Sequence, residues 1–149
     1  SKKYPSKIST HLIIGLNETE KELVMLLRKL NIAGVTIGLF SFTPIKGTAM
    51  QNKLPPDINY YRRIQVALWL IKNNFDKLSF LGDKIVFNYD LHELHKILLD
   101  SDVFCTTGCS DCNRPYYNER PGSRPFNYPT DIAREEFEEE LRDFLTRIS

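Results

Sequence analysis

Long hydrophobic runs are missing from this chain. No apolar stretch approaches the ~20 residues that a bilayer-spanning helix needs. The first residues carry no apolar block of the kind a secretory signal has, so a cytoplasmic protein is expected. Charge of one sign is missing too. Twenty Lys and Arg stand against 19 Asp and Glu, a formal net charge of +1, which gives no electrostatic case for nucleic acid or an anionic membrane as partner. Lys2, Lys3 and Lys7 are too thin a cluster to form a basic arm. Cysteine is scarce: there are 3, an odd number, all between positions 105 and 112. A secreted disulfide scaffold spreads an even number along the chain, so a reducing compartment is expected. Internal repeats and low-complexity segments are also absent, and 149 residues suffice for one core.

What is present is an alternation of strand-like and helix-like segments. Ser9–Gly15 and Val35–Phe40 are short apolar runs that read as buried strands. Between them Asn17-Glu18-Thr19-Glu20 offers polar helix-start chemistry, followed by Leu23, Leu26, Leu27 and Leu30 on one helical face. A proline-containing loop from Ser41 to Asp57 leads to a largely apolar helical pattern over Ile58–Asn73. Lys77–Phe80 and Lys84–Phe87 are strand-like around Gly82-Asp83. Leu91–Leu99 predicts a short helix with Leu91, Leu94, Ile97 and Leu98 inward, and Asp102–Cys105 a last short strand. Residues 113–129 read as ordered irregular loop. Thr130 is placed to cap a final helix, with Phe137, Leu141, Phe144, Leu145 and Ile148 as its apolar stripe. Glu135, Glu136, Glu138, Glu139 and Glu140 are expected on its solvated face. Trp69 and Phe75 are expected in the core.

The predicted class is α/β, with about four parallel βα units and a C-terminal helix. Such apolar strands need cover on both faces, and four strands do not close a barrel, for which eight are usual. The chain is therefore expected to be part of a longer one, or to pair edge-to-edge with a partner.

The three cysteines share one loop, Phe104-Cys105-Thr106-Thr107-Gly108-Cys109-Ser110-Asp111-Cys112, with spacing C-x3-C-x2-C. Three thiolates can hold three corners of an iron–sulfur cluster and leave the fourth open. Zinc would want a fourth protein ligand, for which His92 and His95 are candidates. Thiols without metal, or an adventitious disulfide, form the third alternative. His11 lies in an apolar strand, where a hydrogen-bonded core histidine is the usual finding. Asp83 could bind substrate or cap a turn, and Lys46 could meet a carboxylate.

The order of motifs resembles the second half of the barrel of radical S-adenosylmethionine (SAM) enzymes, in the biotin synthase and lipoyl synthase branch. Ser9-Thr10-His11-Leu12-Ile13-Ile14-Gly15-Leu16-Asn17-Glu18 is similar to that family's G-x-I-x-G-x-x-E stretch, with His11 in place of the first glycine. Gly38-Leu39-Phe40-Ser41-Phe42-Thr43-Pro44-Ile45-Lys46-Gly47-Thr48 resembles its sixth strand and following loop. Cys109-Ser110-Asp111-Cys112-Asn113-Arg114-Pro115-Tyr116-Tyr117-Asn118-Glu119 is similar to the ending of archaeal radical SAM proteins that build lipoyl groups as a two-protein pair. Ser9 and Asp83 stand where biotin synthase has a cysteine and an arginine cluster ligand, which argues against biotin synthase activity itself.

The resemblance implies that residues 1–129 are the C-terminal half of a TIM-type barrel with a cysteine loop, and residues 130–149 an added helix. It implies SAM as cofactor, with Ile13 packing on its adenine, Gly15 opening the turn, Glu18 stabilising the helix start, and Thr43 and Pro44 at the same end. It also implies an auxiliary [4Fe-4S] cluster at Cys105, Cys109 and Cys112, Cys109 and Cys112 being the better candidates. The implied reaction inserts sulfur at an unactivated carbon of a small-molecule or carrier-bound acyl substrate. The chain alone should be inactive, because the motif for the SAM cluster belongs upstream, in another half of the barrel or a homologous subunit. The alternative is a non-catalytic metal-binding interaction module, holding zinc or an iron–sulfur cluster.

Overall fold

A computed structural model describes residues 8–107, 122–129 and 132–149. The first unit is built as the sequence pattern dictates. Strand β1 (Ser9–Ile14) and strand β2 (Thr36–Ser41) pair in parallel, joined by helix α1 (Glu20–Ile32). The register sets Ser9 beside Thr36, His11 beside Gly38 and Ile13 beside Phe40 on one face. Leu12 beside Leu39 and Ile14 beside Ser41 fall on the other, because side chains alternate along a strand.

That second face is the core face. Ile14, Ile37 and Leu39 belong to one buried cluster with Leu23, Val24 and Leu27 of α1 and Ile64, Leu68 and Ile71 of helix α2 (Ile58–Lys72). Helix α1 starts at Thr19, whose hydroxyl accepts from the Glu22 N–H while the Glu22 side chain accepts from the Thr19 N–H. This reciprocal pair satisfies two donors that the first turn would otherwise leave unpaired. Asp57 caps α2 in a similar way, accepting from Asn59 and Tyr60.

The rest departs from a row of parallel units. Strands β3 (Leu78–Leu81) and β4 (Lys84–Phe87) form an antiparallel hairpin. Only Gly82 and Asp83 connect them, and a parallel connection needs a dozen or more residues. Gly82 has a φ of +60°, as the first position of a tight hairpin turn requires. Asp83 is therefore a turn residue, and its carbonyl accepts from the Lys21 N–H at the start of α1. Asp102–Cys105 does not form a strand either. Among the described residues its ladder contact is a parallel bridge between Cys105 and Tyr128.

Among the described residues, side chains rather than a full strand continue the sheet beyond β2. The Leu39 N–H donates to Thr107 Oγ1 at 3.1 Å, and Asn127 Nδ2 donates to the Leu39 carbonyl at 3.2 Å. Both polar groups of a buried strand residue are thus paired without a neighbouring ladder, as burial demands.

Helix α3 (Leu91–Leu98) buries Leu94 and Leu98, while Leu91 is exposed, contrary to the expected inward stripe. Leu91 is the first residue of α3 after the Asp90 cap, where the chain is still entering the helix. Helix α4 (Arg134–Ile148) buries Phe137, Leu141 and Phe144, and Ala133 precedes it without a side-chain cap. Thr130, expected as that cap, lies outside the described residues. Phe75 is exposed, stacked at 6.1 Å on the half-buried Trp69, whose indole N–H donates to Asp102.

The acidic face of α4 breaks at one position. Glu140 is 5% exposed, so it is a core residue and not part of a solvated run. Its carboxylate accepts from Arg62 Nε at 3.0 Å, from Arg124 through Nε and Nη2, and from the Tyr128 hydroxyl at 2.7 Å. Arg62, 1% exposed, spends its remaining donors on Gln65 and on the carbonyls of Pro125 and Phe126. Gln65 and Asn127 extend the network to Tyr61. A buried charge is tolerable only with a partner and filled hydrogen bonds, and both conditions hold here. Glu20 of α1 makes a second such bolt. It accepts from Arg63 of α2 at 2.7 Å and from the Ile85 N–H of β4 at 2.6 Å.

Candidate functional site

The carboxyl end of the β1–β2 pair gathers five residues that the sequence singles out. After Ile14 the chain must turn into α1. Gly15 takes a φ of +107°, a region that side-chain-bearing residues rarely adopt, and a Cβ there would meet Pro56 Cδ at 2.8 Å. The turn's N–H groups are exposed to no partner strand, so they need an acceptor. Glu18 supplies both: Oε1 accepts from Gly15 N–H at 2.5 Å and Oε2 from Leu16 N–H at 2.6 Å. Glu18 therefore fixes the turn itself, while the helix start belongs to Thr19 and Glu22. This corrects the role expected for Glu18.

The loop after β2 closes over the same end. The Phe42 N–H donates to the Ile14 carbonyl at 2.8 Å, which sets Thr43 and Pro44 just past the last β1–β2 pair. Pro56 rests against Gly15, and Lys53 Nζ donates to Asn17 Oδ1 at 2.5 Å. The Tyr60 hydroxyl donates to the Glu18 carbonyl at 2.8 Å. Burial, with the charges of Glu18 and Glu20 behind it, pushes that hydroxyl well above the usual phenol range, so it stays a donor. Pro56, Lys53 and Tyr60 carry no motif. Their part follows from the long loop folding back, which spacing alone does not encode.

Ile13 is 51% exposed, on the face of the sheet opposite the core. His11 and Phe40 share that face, their rings edge to face at 4.8 Å. Among the described residues His11 has no hydrogen-bond partner, so it is not the satisfied core histidine expected from its apolar setting. An exposed isoleucine and an exposed imidazole on a sheet face form a surface that can take a flat, partly apolar molecule.

Cys105 is 3% exposed and belongs to the hydrophobic core cluster. Cys109 and Cys112 lie outside the described residues, as do Arg114, Tyr116, Tyr117 and Asn118. The cysteine loop leaves from Thr107, whose carbonyl lies 3.2 Å from where a Cβ of Gly38 would stand. Among the described residues no group of three His, Cys, Asp or Glu side chains is placed to hold a metal. His92 and His95 sit on α3, and Lys77 bridges to Glu93 between them. Lys46 is exposed on the loop after β2.

The described residues also form clefts elsewhere. A cleft of about 550 Å³ is lined by Arg124, Tyr128, Glu136, Glu139, Glu140 and Asp143, among others, and its carboxylate Glu140 is already engaged by two arginines. Another, about 350 Å³, runs between Leu99–Asp102 and Ile132–Phe137. Among the described residues no helix is long and apolar enough to cross a membrane. No family model, curated protein or solved structure matches the chain.

Proposed function

We propose that this chain is the C-terminal part of a radical SAM iron–sulfur enzyme of the sulfur-insertion type, a half barrel whose adenosyl site lies at the carboxyl end of β1 and β2. One observation carries the reading. Ile13 is half exposed on a parallel strand that ends in a glycine turn clamped by Glu18. Thr43 and Pro44 follow the neighbouring strand at the same end. Ligands of parallel α/β folds bind outside the carboxyl ends of the strands, because the loops there are free to vary.

In this reading Ile13 offers an apolar face to a purine. Gly15 and Pro56 give the turn its tight shape, and Glu18 keeps the two turn N–H groups occupied. The other half of the barrel, on the same chain or a homologous subunit, would pair edge-to-edge with this sheet and complete the wall around the exposed face. The substrate is a small molecule or a carrier-bound acyl group. An auxiliary iron–sulfur cluster, when bound, supplies sulfur or electrons. The burial of Cys105 favours Cys109 and Cys112 as the thiolates that hold it.

The test is co-expression with a homologous half that contains its own C-x3-C-x2-C motif, followed by anaerobic reduction with SAM. 5′-Deoxyadenosine is expected from the pair and not from this chain alone. Product from this chain alone contradicts the placement of the chemistry. Stoichiometric zinc without colour after anaerobic reconstitution supports a non-catalytic metal-binding module instead.

A further inference from the structure

The open face of the β1–β2 pair holds a histidine that neither the fold nor the reading above uses. His11 is exposed, and among the described residues its ring nitrogens have no partner. Its ring is nevertheless held. Gly38 stands beside it in the register, and a Cβ at Gly38 would meet His11 Cδ2 at 3.1 Å and Phe40 Cε2 at 3.2 Å. The φ of Gly38 lies outside the left-handed region, so the backbone does not demand glycine there. Glycine inside a strand weakens it, and such a residue marks close approach of another group. Here the approaching groups are the imidazole, the Phe40 ring and the Thr107 carbonyl. Phe40 braces the imidazole from a second side at 4.8 Å, with the ring planes at 70°. The seat is built, while the polar atoms it presents have no partner among the described residues.

His11 and Ile13 are two residues apart on one face, so they stand about 6.6 Å apart along the strand. One nucleoside is long enough to reach both, with its base against one side chain and its sugar beside the other. We infer that His11 is the ribose-recognition residue of this site: it hydrogen-bonds a sugar hydroxyl of the nucleoside whose base packs on Ile13. The inference rests on the reading of this strand end as an adenosyl site. It adds the residue that tells a nucleoside from a free base. An imidazole can donate from one nitrogen and accept at the other, and a hydroxyl can answer either.

The experiment is NMR titration of the 149-residue chain with adenosine and, separately, with adenine. The Ile13 methyl and His11 ring signals are followed in wild type, H11A, H11Q and G38A. Both ligands are expected to shift the Ile13 methyl, and only adenosine the His11 ring. H11A should weaken adenosine about three- to tenfold, as expected for one hydrogen bond. Adenine affinity should not change. H11Q, which retains a donor and an acceptor, should recover part of the loss. G38A, which crowds the imidazole, should weaken adenosine with adenine again unchanged. If Ile13 responds to both ligands and H11A leaves the adenosine affinity unchanged, the role of His11 is overturned and the adenosyl site stands. If neither ligand moves Ile13, the site reading fails and takes this inference with it.

Discussion

Replacing Glu140 by glutamine removes one charge and almost no volume from the centre of the molecule. The carboxylate is 5% exposed and receives hydrogen bonds from Arg62, Arg124 and Tyr128. Arg62, 1% exposed, would be left as a buried cation with neutral partners only, namely Gln65 and two backbone carbonyls. Removing one member of a buried pair costs about 3–5 kcal/mol. The lower end applies here, because those three neutral acceptors persist and Arg124, at 35% side-chain exposure, can turn to water. E140Q should therefore lose about 3 kcal/mol, a fall in Tm of about 6–12 °C for a domain of this size. Urea unfolding followed by circular dichroism reads this directly, provided that the slope m stays constant. The double variant R62M/E140L should regain most of the loss, since well-packed apolar residues replace a buried pair at little or no cost. A loss below about 1 kcal/mol in E140Q would refute the claim that this network is a buried, charge-balanced unit.

Other outcomes follow from the same contacts. Burial alone would raise the Glu140 carboxyl, but hydrogen bonds from Arg124, the charge of Arg62 and the bond from Tyr128 outweigh it and hold it below the usual carboxylate range. A hydrogen bond from Arg28 does the same for Asp76. The unfolded chain then takes up protons first, so stability is full above about pH 5 and falls as pH drops through the depressed values. Acid unfolding curves of E140Q should accordingly be flatter than those of wild type. G15A should cost more than about 1 kcal/mol by the same urea assay, since alanine meets both an unfavourable φ and Pro56 at 2.8 Å. T19A should cost about 1 kcal/mol through loss of the α1 cap, with no effect on ligand-induced shifts at Ile13.

Sequence pattern locates β1, β2 and α2 to within a residue or two and the start of α1 to the Asn17–Glu20 stretch, because strict burial and capping chemistry are local signals. Ile13, Gly15, Glu18, Thr43 and Pro44 are singled out by the family resemblance and not by periodicity; parallel pairing of β1 and β2 is what sets them at one end. The hairpin of β3 and β4 was visible in Gly82-Asp83, yet apolar strands read equally well as parallel ones until their two-residue connection is weighed. Glu140 was hidden within a run of five acidic positions on one helix. Only the third dimension reveals that Arg62, 78 residues away, reaches it. His11 sits in an apolar strand, a pattern that suggests burial on both faces, whereas this sheet leaves one face open at His11 and Ile13.

SAM binding at the carboxyl end of β1 and β2 is the proposal on which the function of this chain rests. The most direct measurement is methyl NMR of the chain with isoleucines labelled, titrated with S-adenosylhomocysteine, an unreactive analogue of SAM. A saturable shift of the Ile13 methyl, exposed beside the Gly15 turn, is expected, with the core methyls of Ile14 and Ile37 unmoved. An Ile13 signal that stays fixed at millimolar ligand, or shifts confined to residues far from the carboxyl end of β1 and β2, would contradict it.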